Sequence, residues 1–144
     1  MRLDLSSFKM AITSMQQALD VLKPDSISQF NEATQSVIKA GVIQNFEFTY
    51  ELSHKILKRY LVKTLPNPSD VDEMSFADMI RTGSELGLLA SGWDVWKKYR
   101  AARAITSHTY DEDKADVVLS ITYEFLQEAQ YLLAQLERRN TGAD

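Results

Sequence analysis

The sequence has no cysteine, and it has only three prolines and five glycines among its 144 residues. The absence of cysteine excludes disulfides and thiolate metal sites, and it is compatible with a reducing compartment. No apolar run approaches the roughly 20 residues that a membrane-spanning helix needs. The N-terminal stretch MRLDLSSFKM lacks a basic segment followed by an apolar one, so we expect no signal peptide. These absences together predict a cytoplasmic protein.

The chain also has no excess of positive charge. Its 16 Lys and Arg residues against 20 Asp and Glu residues give a formal net charge of −4. A protein that binds nucleic acid without sequence preference is usually basic over its binding domain, so any such contact must come from a local patch. The remaining composition, 44% hydrophobic and 25% charged, is that of an ordinary globular protein, and the length predicts a single domain over residues 1–144.

Motifs for cofactor-bound chemistry are missing as well. The chain has no glycine-rich phosphate loop, and its only histidines are His54 and His108. Glu51 and His54 match the Glu-x-x-His element of di-iron helical bundles, which need a second copy of that element. The residue three before His108 is Ile105, so the second copy is absent. The sequence therefore predicts neither a metal site nor a cofactor.

A simpler interpretation of the residues around His54 is structural. Glu47, Glu51 and His54 lie at positions i, i+4 and i+7, which is one face of a helix. On this interpretation they form a polar stripe that pairs, at helical spacing, with Lys55 or Lys58.

Apolar residues recur at intervals of three and four along most of the chain, which is typical of amphipathic helices. A first helix carries such a stripe from Leu5 to Leu22 and ends before Pro24, because proline cannot continue the backbone ladder. Asp25 or Ser26 can cap a long second helix, which is expected to run from Ile27 to Leu61 without interruption.

The long second helix has two apolar faces instead of one. A helix with this pattern lies at the centre of a bundle or at an interface. One face carries Phe30, Val37, Gly41, Phe48 and Leu52. The other carries Val42, Phe46, Tyr50 and Leu61.

The next segments predict a loop and two shorter helices. Two prolines mark Leu65 to Asp72 as a loop. Ser75 to Asp78 is typical of a capping box, opening a short helix that stops at Gly87. Ser91 to Asp94 repeats the box and opens a helix that should reach about Thr106.

A last helix is expected to begin near Asp111, with acidic residues in its first turn as the helix dipole favours. The fold prediction is therefore all-α, an antiparallel bundle of about five helices joined by short connections. The core stripe of this last helix consists of Ala115, Val118, Thr122, Phe125, Ala129, Leu132 and Leu136.

A basic patch stands out in this acidic chain between residues 97 and 110. Arginine offers a planar fork of donors that suits phosphate, and aromatic side chains beside it can stack on bases. Trp93 and Trp96 share a helix face with the arginines, although the alternative is a core role for the tryptophans and a solvated face for the cations. Four cations fall within seven residues, namely Lys97, Lys98, Arg100 and Arg103. Of these, Lys97 and Arg100 are predicted to bind the substrate.

His108 follows the basic patch at or just past the predicted helix end, and Tyr110 comes two residues later. Histidine is the side chain whose ordinary pKa, about 6.5, allows proton exchange near neutral pH. His108 is therefore the candidate acid–base group, close in sequence to Arg103. A simple helix-end cap is the alternative role for His108.

Two segments of the chain resemble a known family. The string from Arg103 to Tyr110, RAITSHTY, has the pattern R-x4-H-x-Y, and Ile43 to Leu52, IQNFEFTYEL, lies within the long helix. Both resemble HEPN domains of the HepT-like type, in particular the branch called the nucleotidyltransferase substrate-binding protein family. The resemblance covers nearly the whole chain, and no motif position departs from the pattern.

That resemblance implies a helical bundle that forms a homodimer around the motif and binds a small nucleotidyltransferase. In some members the two proteins are a toxin–antitoxin pair. There the HEPN protein is a metal-independent ribonuclease, and the transferase silences it by adding AMP to the motif tyrosine. Carried over to this chain, Arg103 and His108 become the catalytic pair, and Tyr110 becomes the AMP acceptor.

Two functional hypotheses remain from the sequence. The first is a ribonuclease, in which His108 moves protons and Arg103 stabilises phosphoryl charge in a dimer. The second is a non-catalytic subunit that presents a substrate or nucleotide to the transferase, as other members of the branch have been regarded. The acids that follow Tyr110 count against the first hypothesis, because they repel phosphate.

Overall fold

The computed structural model describes residues 2–140, which form seven α-helices and one 3-10 turn and contain no strand. Five helices are long, and the other two have only four and six residues. The prediction of an all-α bundle with about five helices is therefore confirmed, with two short helices added. The helices are α1 (Ser6–Leu22), α2 (Pro24–Ile27), α3 (Glu32–Thr64), α4 (Pro68–Glu73), α5 (Phe76–Glu85), α6 (Trp93–Ala104) and α7 (Glu112–Arg139), and the 3-10 turn is Thr106–His108.

Helix α1 runs antiparallel to α3. The Lys63 ammonium near the end of α3 donates to the carbonyl of Arg2, which precedes α1 (3.0 Å). Further along α1, the Ser14 hydroxyl donates to Asn45 Oδ1 (2.7 Å). Because higher numbers on α1 face lower numbers on α3, the two axes point in opposite directions.

Helix α7 runs in the same direction as α3. The ring of Phe46 packs edge-on against Phe125 with 5.2 Å between centroids, and near the helix ends Tyr60 lies against Arg139. The intervening α5 and α6 return the chain to the start of the bundle, which makes this parallel pairing feasible. Helices α1, α3 and α7 thus form the frame on which the rest of the chain packs.

An aromatic cluster fills the space between α3, α6 and α7. Phe125 is fully buried at its centre, with ring centroids 5.1 Å from Tyr99, 5.2 Å from Phe46, 5.8 Å from Trp96 and 5.9 Å from Tyr50. Edge-to-face arrangements of this kind are favourable beyond simple burial. The cluster therefore fixes the position of α6 against the frame.

The predicted uninterrupted helix from Ile27 to Leu61 is wrong at its beginning. The structure has a short helix, Pro24–Ile27, followed by a turn. The long helix begins only at Glu32, and its full range is Glu32–Thr64. The physical reason is the cap: the side chain of Asn31 accepts a hydrogen bond from the backbone N–H of Thr34 (2.8 Å). That bond satisfies a free amide of the first turn and starts a new helix there.

The prediction of a loop from Leu65 to Asp72 is also wrong in part. Residues Pro68–Glu73 form α4, and Asn67 caps it by accepting from the backbone N–H of Ser69 (3.3 Å). Pro68 stands at the first helical position, where a missing N–H costs nothing. The prolines that suggested a loop are thus compatible with a short helix.

The cap and the end of α5 agree with the sequence prediction, and the cap of α6 does not. Ser75 accepts from the backbone N–H of Asp78 (3.1 Å), and Gly87 follows α5 with a φ of +76°. A residue with a side chain rarely adopts that φ, so glycine suits the helix end. At α6 the capping residue is Gly92, without a side-chain hydrogen bond, so the second capping box is wrong. The Ser91 carbonyl instead accepts from Ser84.

The predicted core stripe of α7 is confirmed except at its first residue. Ala115 is half-buried, and the other six side chains are buried; all of them except Thr122 belong to one hydrophobic cluster with residues of α1, α3 and α6. None of the helices in the described range has the length and apolar content to cross a membrane.

Truncating Phe125 to Ala should destabilise the fold by about 3–5 kcal/mol, because it removes the ring at the centre of the aromatic cluster and leaves a cavity. Urea denaturation followed by circular dichroism measures the change. Tyr123→Ala, an exposed aromatic on the same helix, is the matched control and should change stability by less than about 0.5 kcal/mol. Equal losses in the two variants would contradict the central role of Phe125.

Candidate functional site

The residues singled out by the sequence lie where α6 ends and α7 begins. Helix α6 ends at Ala104, two residues earlier than predicted, and the 3-10 turn follows. The backbone N–H of His108 donates to the carbonyl of Ile105 (3.0 Å), and that of Asp111 donates to the carbonyl of His108 (3.1 Å). These two bonds form a compact connection, which places His108 on a turn and not in a flexible loop.

Arg103, in the last turn of α6, is bound by three side chains. Its Nη2 forms an ion pair with Glu51, and its Nη1 lies 3.3 Å from Glu47 Oε2 and 3.1 Å from Thr106 Oγ1. The Thr106 hydroxyl lies in turn 2.7 Å from Glu47 Oε2. We call these four residues the Arg103 cluster. These contacts link the end of α6 and the following turn to α3.

The electrostatics of the Arg103 cluster keep the arginine charged. The hydrogen bond to Glu51 raises the pKa of the Arg103 guanidinium above its ordinary value, and the negative charge of Glu47 adds to this effect. Two carboxylates thus surround one guanidinium, and the cluster carries a formal charge of −1. A phosphate that approaches Arg103 meets this surplus negative charge.

The prediction that the polar stripe on α3 pairs with a lysine one turn further along is wrong. Glu47 and Glu51 both bind Arg103, which lies 52 residues beyond Glu51 in sequence. Lys58 pairs instead with Asp72 (3.5 Å). Arg103 is the preferred partner because its rigid, forked guanidinium can bind two carboxylates at the same time. The ammonium of a flexible lysine side chain does this less well.

His108 and Tyr110 lie next to each other on the surface. Their ring centroids are 6.2 Å apart in an edge-to-face arrangement, and Tyr110 is 87% exposed. Among residues 2–140, no hydrogen bond joins Arg103 to either ring. One chain therefore brings His108 and Tyr110 together, while Arg103 is held separately by its acidic partners.

Tyr110 also borders an open pocket of about 590 Å³ between the N-terminal part of α3 and the start of α7. Its charged lining is mainly acidic, with one lysine, Lys39, against three carboxylates. Those carboxylates belong to Glu32, Glu112 and Asp116.

The cations and tryptophans of the basic patch have separate positions. Trp96 is buried in the aromatic cluster, so it is not available to stack on a base as one interpretation required. Trp93 is half-buried against Phe76. Arg100 lies over the ring of Phe76, 5.6 Å from its centroid, and Lys97 is exposed to solvent. Arg100, and not Lys97, is the cation that lines a pocket with Arg103.

The acidic partners of Arg103 belong to the candidate site, and sequence reasoning did not connect them with Arg103. Helical spacing links only residues within one helix, and Glu47 and Glu51 reach Arg103 across more than 50 positions. A usable signal was present, because two carboxylates one turn apart on a helix repel each other and are stabilised by a shared cation. Thr106 had no comparable signal.

The sequence matches a family model over residues 3–138, and that family is described as nucleotidyltransferase substrate binding protein like. The chain belongs to this family. The resemblance to this nucleotidyltransferase substrate binding family is therefore confirmed, and the R-x4-H-x-Y string on which it was based lies at the end of α6 and in the connection to α7.

Similarity to Haemophilus influenzae proteins in sequence and in structure supports the assignment. A protein named "Probable ribonuclease HepT" is 43% identical over 106 residues, which cover 74% of this chain and 72% of the relative. A solved structure, described as revealing the fold of a substrate binding domain of a nucleotidyltransferase, is similar with a TM-score of 0.87 and 36% identity. The similarity covers 93% of this chain and 99% of that one.

Glu51→Gln should loosen the Arg103 cluster, because the amide keeps the shape of the carboxylate but removes its charge. We expect the Arg103 Nη protons to exchange with water about tenfold faster, as loss of a charge-assisted hydrogen bond implies. Side-chain ¹⁵N NMR at low temperature measures this rate. Glu137→Gln, which removes an exposed carboxylate paired with Lys9, is the control. An unchanged rate in Glu51→Gln would contradict the cluster.

Proposed function

We propose that this chain is a metal-independent endoribonuclease that acts with a small nucleotidyltransferase, as the toxin of a toxin–antitoxin pair. The observation that carries the proposal is His108, whose imidazole is exposed on a short turn fixed to the end of the Arg103 helix. Similarity to a protein named "Probable ribonuclease HepT" supports the activity. The description of the family supports the transferase partner.

The reaction is a transesterification within RNA. His108 accepts the proton of a ribose 2′-hydroxyl as its oxygen attacks the adjacent phosphorus. The O2′–P bond forms and the P–O5′ bond breaks, which gives a 2′,3′-cyclic phosphate and, after proton transfer to the leaving oxygen, a 5′-hydroxyl. Arg103 stabilises the negative charge that develops on the phosphoryl oxygens.

Arg103 retains donors for this role despite its acidic partners. A guanidinium has five N–H groups, and the Nη atoms of Arg103 contact Glu47, Glu51 and Thr106. No described residue accepts a hydrogen bond from its Nε, and 31% of the side chain is exposed. A phosphate oxygen can therefore reach the free edge of the guanidinium.

A homodimer supplies the second proton-transfer group, because one histidine does not readily accept and donate a proton in the same step. The exposed face of α3 supports such a dimer. Val37 and Phe48 are 70% and 57% exposed, and a Cβ added to Gly41 on the same face would meet nothing within 4 Å. We call these three residues the α3 stripe. An exposed apolar stripe of this kind marks an interaction surface.

The α3 stripe adjoins the Arg103 cluster. Phe48 lines an open pocket together with Glu47 and Glu51, the carboxylates that hold Arg103. A second chain seated on the stripe would therefore place its own turn close to this one. In that arrangement two copies of His108 share one site.

The transferase is proposed to silence the chain at Tyr110. The exposed phenol attacks the α-phosphorus of ATP bound to the transferase, pyrophosphate leaves, and the phenolic proton is lost. The adenylyl phosphate then lies beside His108, whose ring is 6.2 Å from that of Tyr110. Its negative charge and bulk occupy the place of the RNA phosphate.

One observation favours a second function, a non-catalytic subunit that presents a substrate or nucleotide to the transferase. Glu47 and Glu51 offset the charge of Arg103. This compensation weakens the stabilisation that Arg103 can give to a phosphate in the transition state. The solved relative is described as a substrate binding domain. In this alternative Arg100 and Arg103 hold the ligand, and Tyr110 contributes only hydrogen bonds.

His108→Ala should lower RNA cleavage by about 100-fold or more, because general acid–base catalysis contributes about 10²–10⁴-fold. The assay uses purified protein and excess EDTA, so that metal-dependent contaminants are inactive. Because His108 is exposed, the variant should keep the circular dichroism spectrum and melting temperature of the wild type. Lys114→Ala, an exposed residue in the first turn of α7, is the control and should cleave normally.

Cleavage that persists equally in His108→Ala would contradict the catalytic role. If the wild-type protein cleaves no RNA and does not arrest growth when it is expressed alone, the non-catalytic function replaces the ribonuclease.

Incubation with the partner transferase and ATP should increase the intact mass of the chain by adenylyl groups, and Tyr110→Phe should abolish the gain, because it removes the attacking oxygen. Mass spectrometry measures both. Tyr123→Phe, another exposed tyrosine, is the control and should still be modified. A mass gain retained in Tyr110→Phe would show that another residue is the acceptor.

A further inference from the structure

A further pocket adjoins the Arg103 cluster and shares Arg103 and Glu51 with it. It has a volume of about 350 Å³, within the range of about 300–1,000 Å³ for small-molecule pockets. Helices α3, α5 and α6 form it. Its lining consists of Tyr50, Glu51, His54, Phe76, Arg100, Arg103 and Ala104. We call it the His54 pocket.

Three polar groups of the His54 pocket have no partner within residues 2–140. The Arg100 guanidinium makes no ion pair there, the Tyr50 hydroxyl makes no hydrogen bond, and neither does the His54 ring. Unpaired polar groups that converge on one concave surface are typical of a binding site. The pocket therefore offers donors for a ligand.

Phe76 holds two of these groups in place. Arg100 lies over its ring at 5.6 Å, and the His54 ring packs edge-on against it, with 4.7 Å between centroids. Stacking fixes the plane of a guanidinium and leaves its N–H edges free, which is the arrangement that binds phosphate in a bidentate way. Arg100 is thus oriented before any ligand arrives.

We propose that the His54 pocket is a phosphate subsite for a nucleotide, with Arg100 as the main donor and His54 and Tyr50 completing the contact. This inference rests on the proposed function for its ligand class, because Arg103 and Glu51 belong both to this pocket and to the Arg103 cluster. Because Arg103 also lines the His54 pocket, a phosphate held here lies near the one that Arg103 acts on in the proposed cleavage.

His54 reports on the occupancy of the pocket. Burial, with Lys58 and Arg100 nearby, lowers the pKa of its imidazole below the ordinary value, so the free pocket holds a neutral ring. The other charges facing the pocket are Glu51 and Arg103, while α5 contributes only the uncharged Phe76. A bound phosphate adds negative charge beside the ring and raises its pKa. By linkage, the ligand binds more tightly as the pH falls through that range.

The experiment uses His108→Ala protein, in which His54 is the only histidine and its imidazole NMR signals need no further assignment. The probes are a dinucleotide with a 2′-O-methyl group, which cannot be cleaved, and AMP. Either probe should raise the pKa of His54 measured by NMR. Preference for the dinucleotide identifies an RNA strand as the source of the phosphate, and preference for AMP identifies a free nucleotide.

Arg100→Gln should weaken binding of the preferred probe by about tenfold or more, because it removes a charge-assisted contact. Lys98→Gln removes the same charge two residues away, where Lys98 pairs with Glu124, and should change the affinity less than about twofold. His54→Gln in the His108→Ala background should remove the pH dependence of dinucleotide binding, because a phosphodiester does not itself titrate in this range.

The subsite is overturned if neither probe shifts the pKa of His54, or if Arg100→Gln and Lys98→Gln weaken binding equally. These results are distinct from failure of the ribonuclease. A protein that binds the dinucleotide at Arg100 but cleaves no RNA keeps the subsite and loses the nuclease. A protein that cleaves RNA with a KM unchanged by Arg100→Gln keeps the nuclease and loses the subsite.

Discussion

The ion pairs of Arg103 with Glu47 and Glu51 are the interaction on which the candidate site depends. Helix α6 ends directly after Arg103, and the following turn has few buried residues of its own. The two carboxylates on α3 add to the anchoring of the turn by Ile105, which packs on the core, and by Thr106, whose hydroxyl lies 2.7 Å from Glu47 Oε2. The cluster therefore sets where His108 and Tyr110 stand on the surface.

The same interaction limits what a single chain can do. A guanidinium that already serves two carboxylates keeps only part of its capacity for a phosphate, and the cluster carries surplus negative charge. Arg100, stacked on Phe76 without an acidic partner in the described chain, is the less compensated cation of the patch. This division suits a site in which one arginine attracts the strand and the other acts at the reacting phosphate.

Features set by neighbouring residues could be predicted from the sequence. The stripe on α7, the cap at Ser75 and the stop at Gly87 depend on contacts within a turn or two of helix. The R-x4-H-x-Y string predicted a candidate site, and its residues lie close together in sequence, at the end of α6 and in the connection to α7. The starts of α3 and α4 were missed because several residues compete as caps, and only the assembled bundle selects Asn31 and Asn67.

Features set by distant contacts could not be predicted in this way. Helical spacing placed Trp96 on the arginine face but did not show that α3 and α7 cover it. Nor did it show that the carboxylates of α3 reach Arg103, since that contact requires α6 to pack beside α3. The α3 stripe is the converse case: its apolar pattern was visible, and it stays exposed because nothing in the described chain covers it.

The central claim is that the working unit is a dimer whose site contains two copies of His108. Disruption of the α3 stripe tests this claim most directly. Val37→Glu places a charge on the stripe at a 70% exposed position, outside the pocket that Phe48 shares with Glu47 and Glu51. The account predicts a folded monomer by analytical ultracentrifugation that has lost RNA cleavage, while the control Tyr123→Glu remains dimeric and active. A Val37→Glu monomer that cleaves RNA as fast as the wild type would contradict the account.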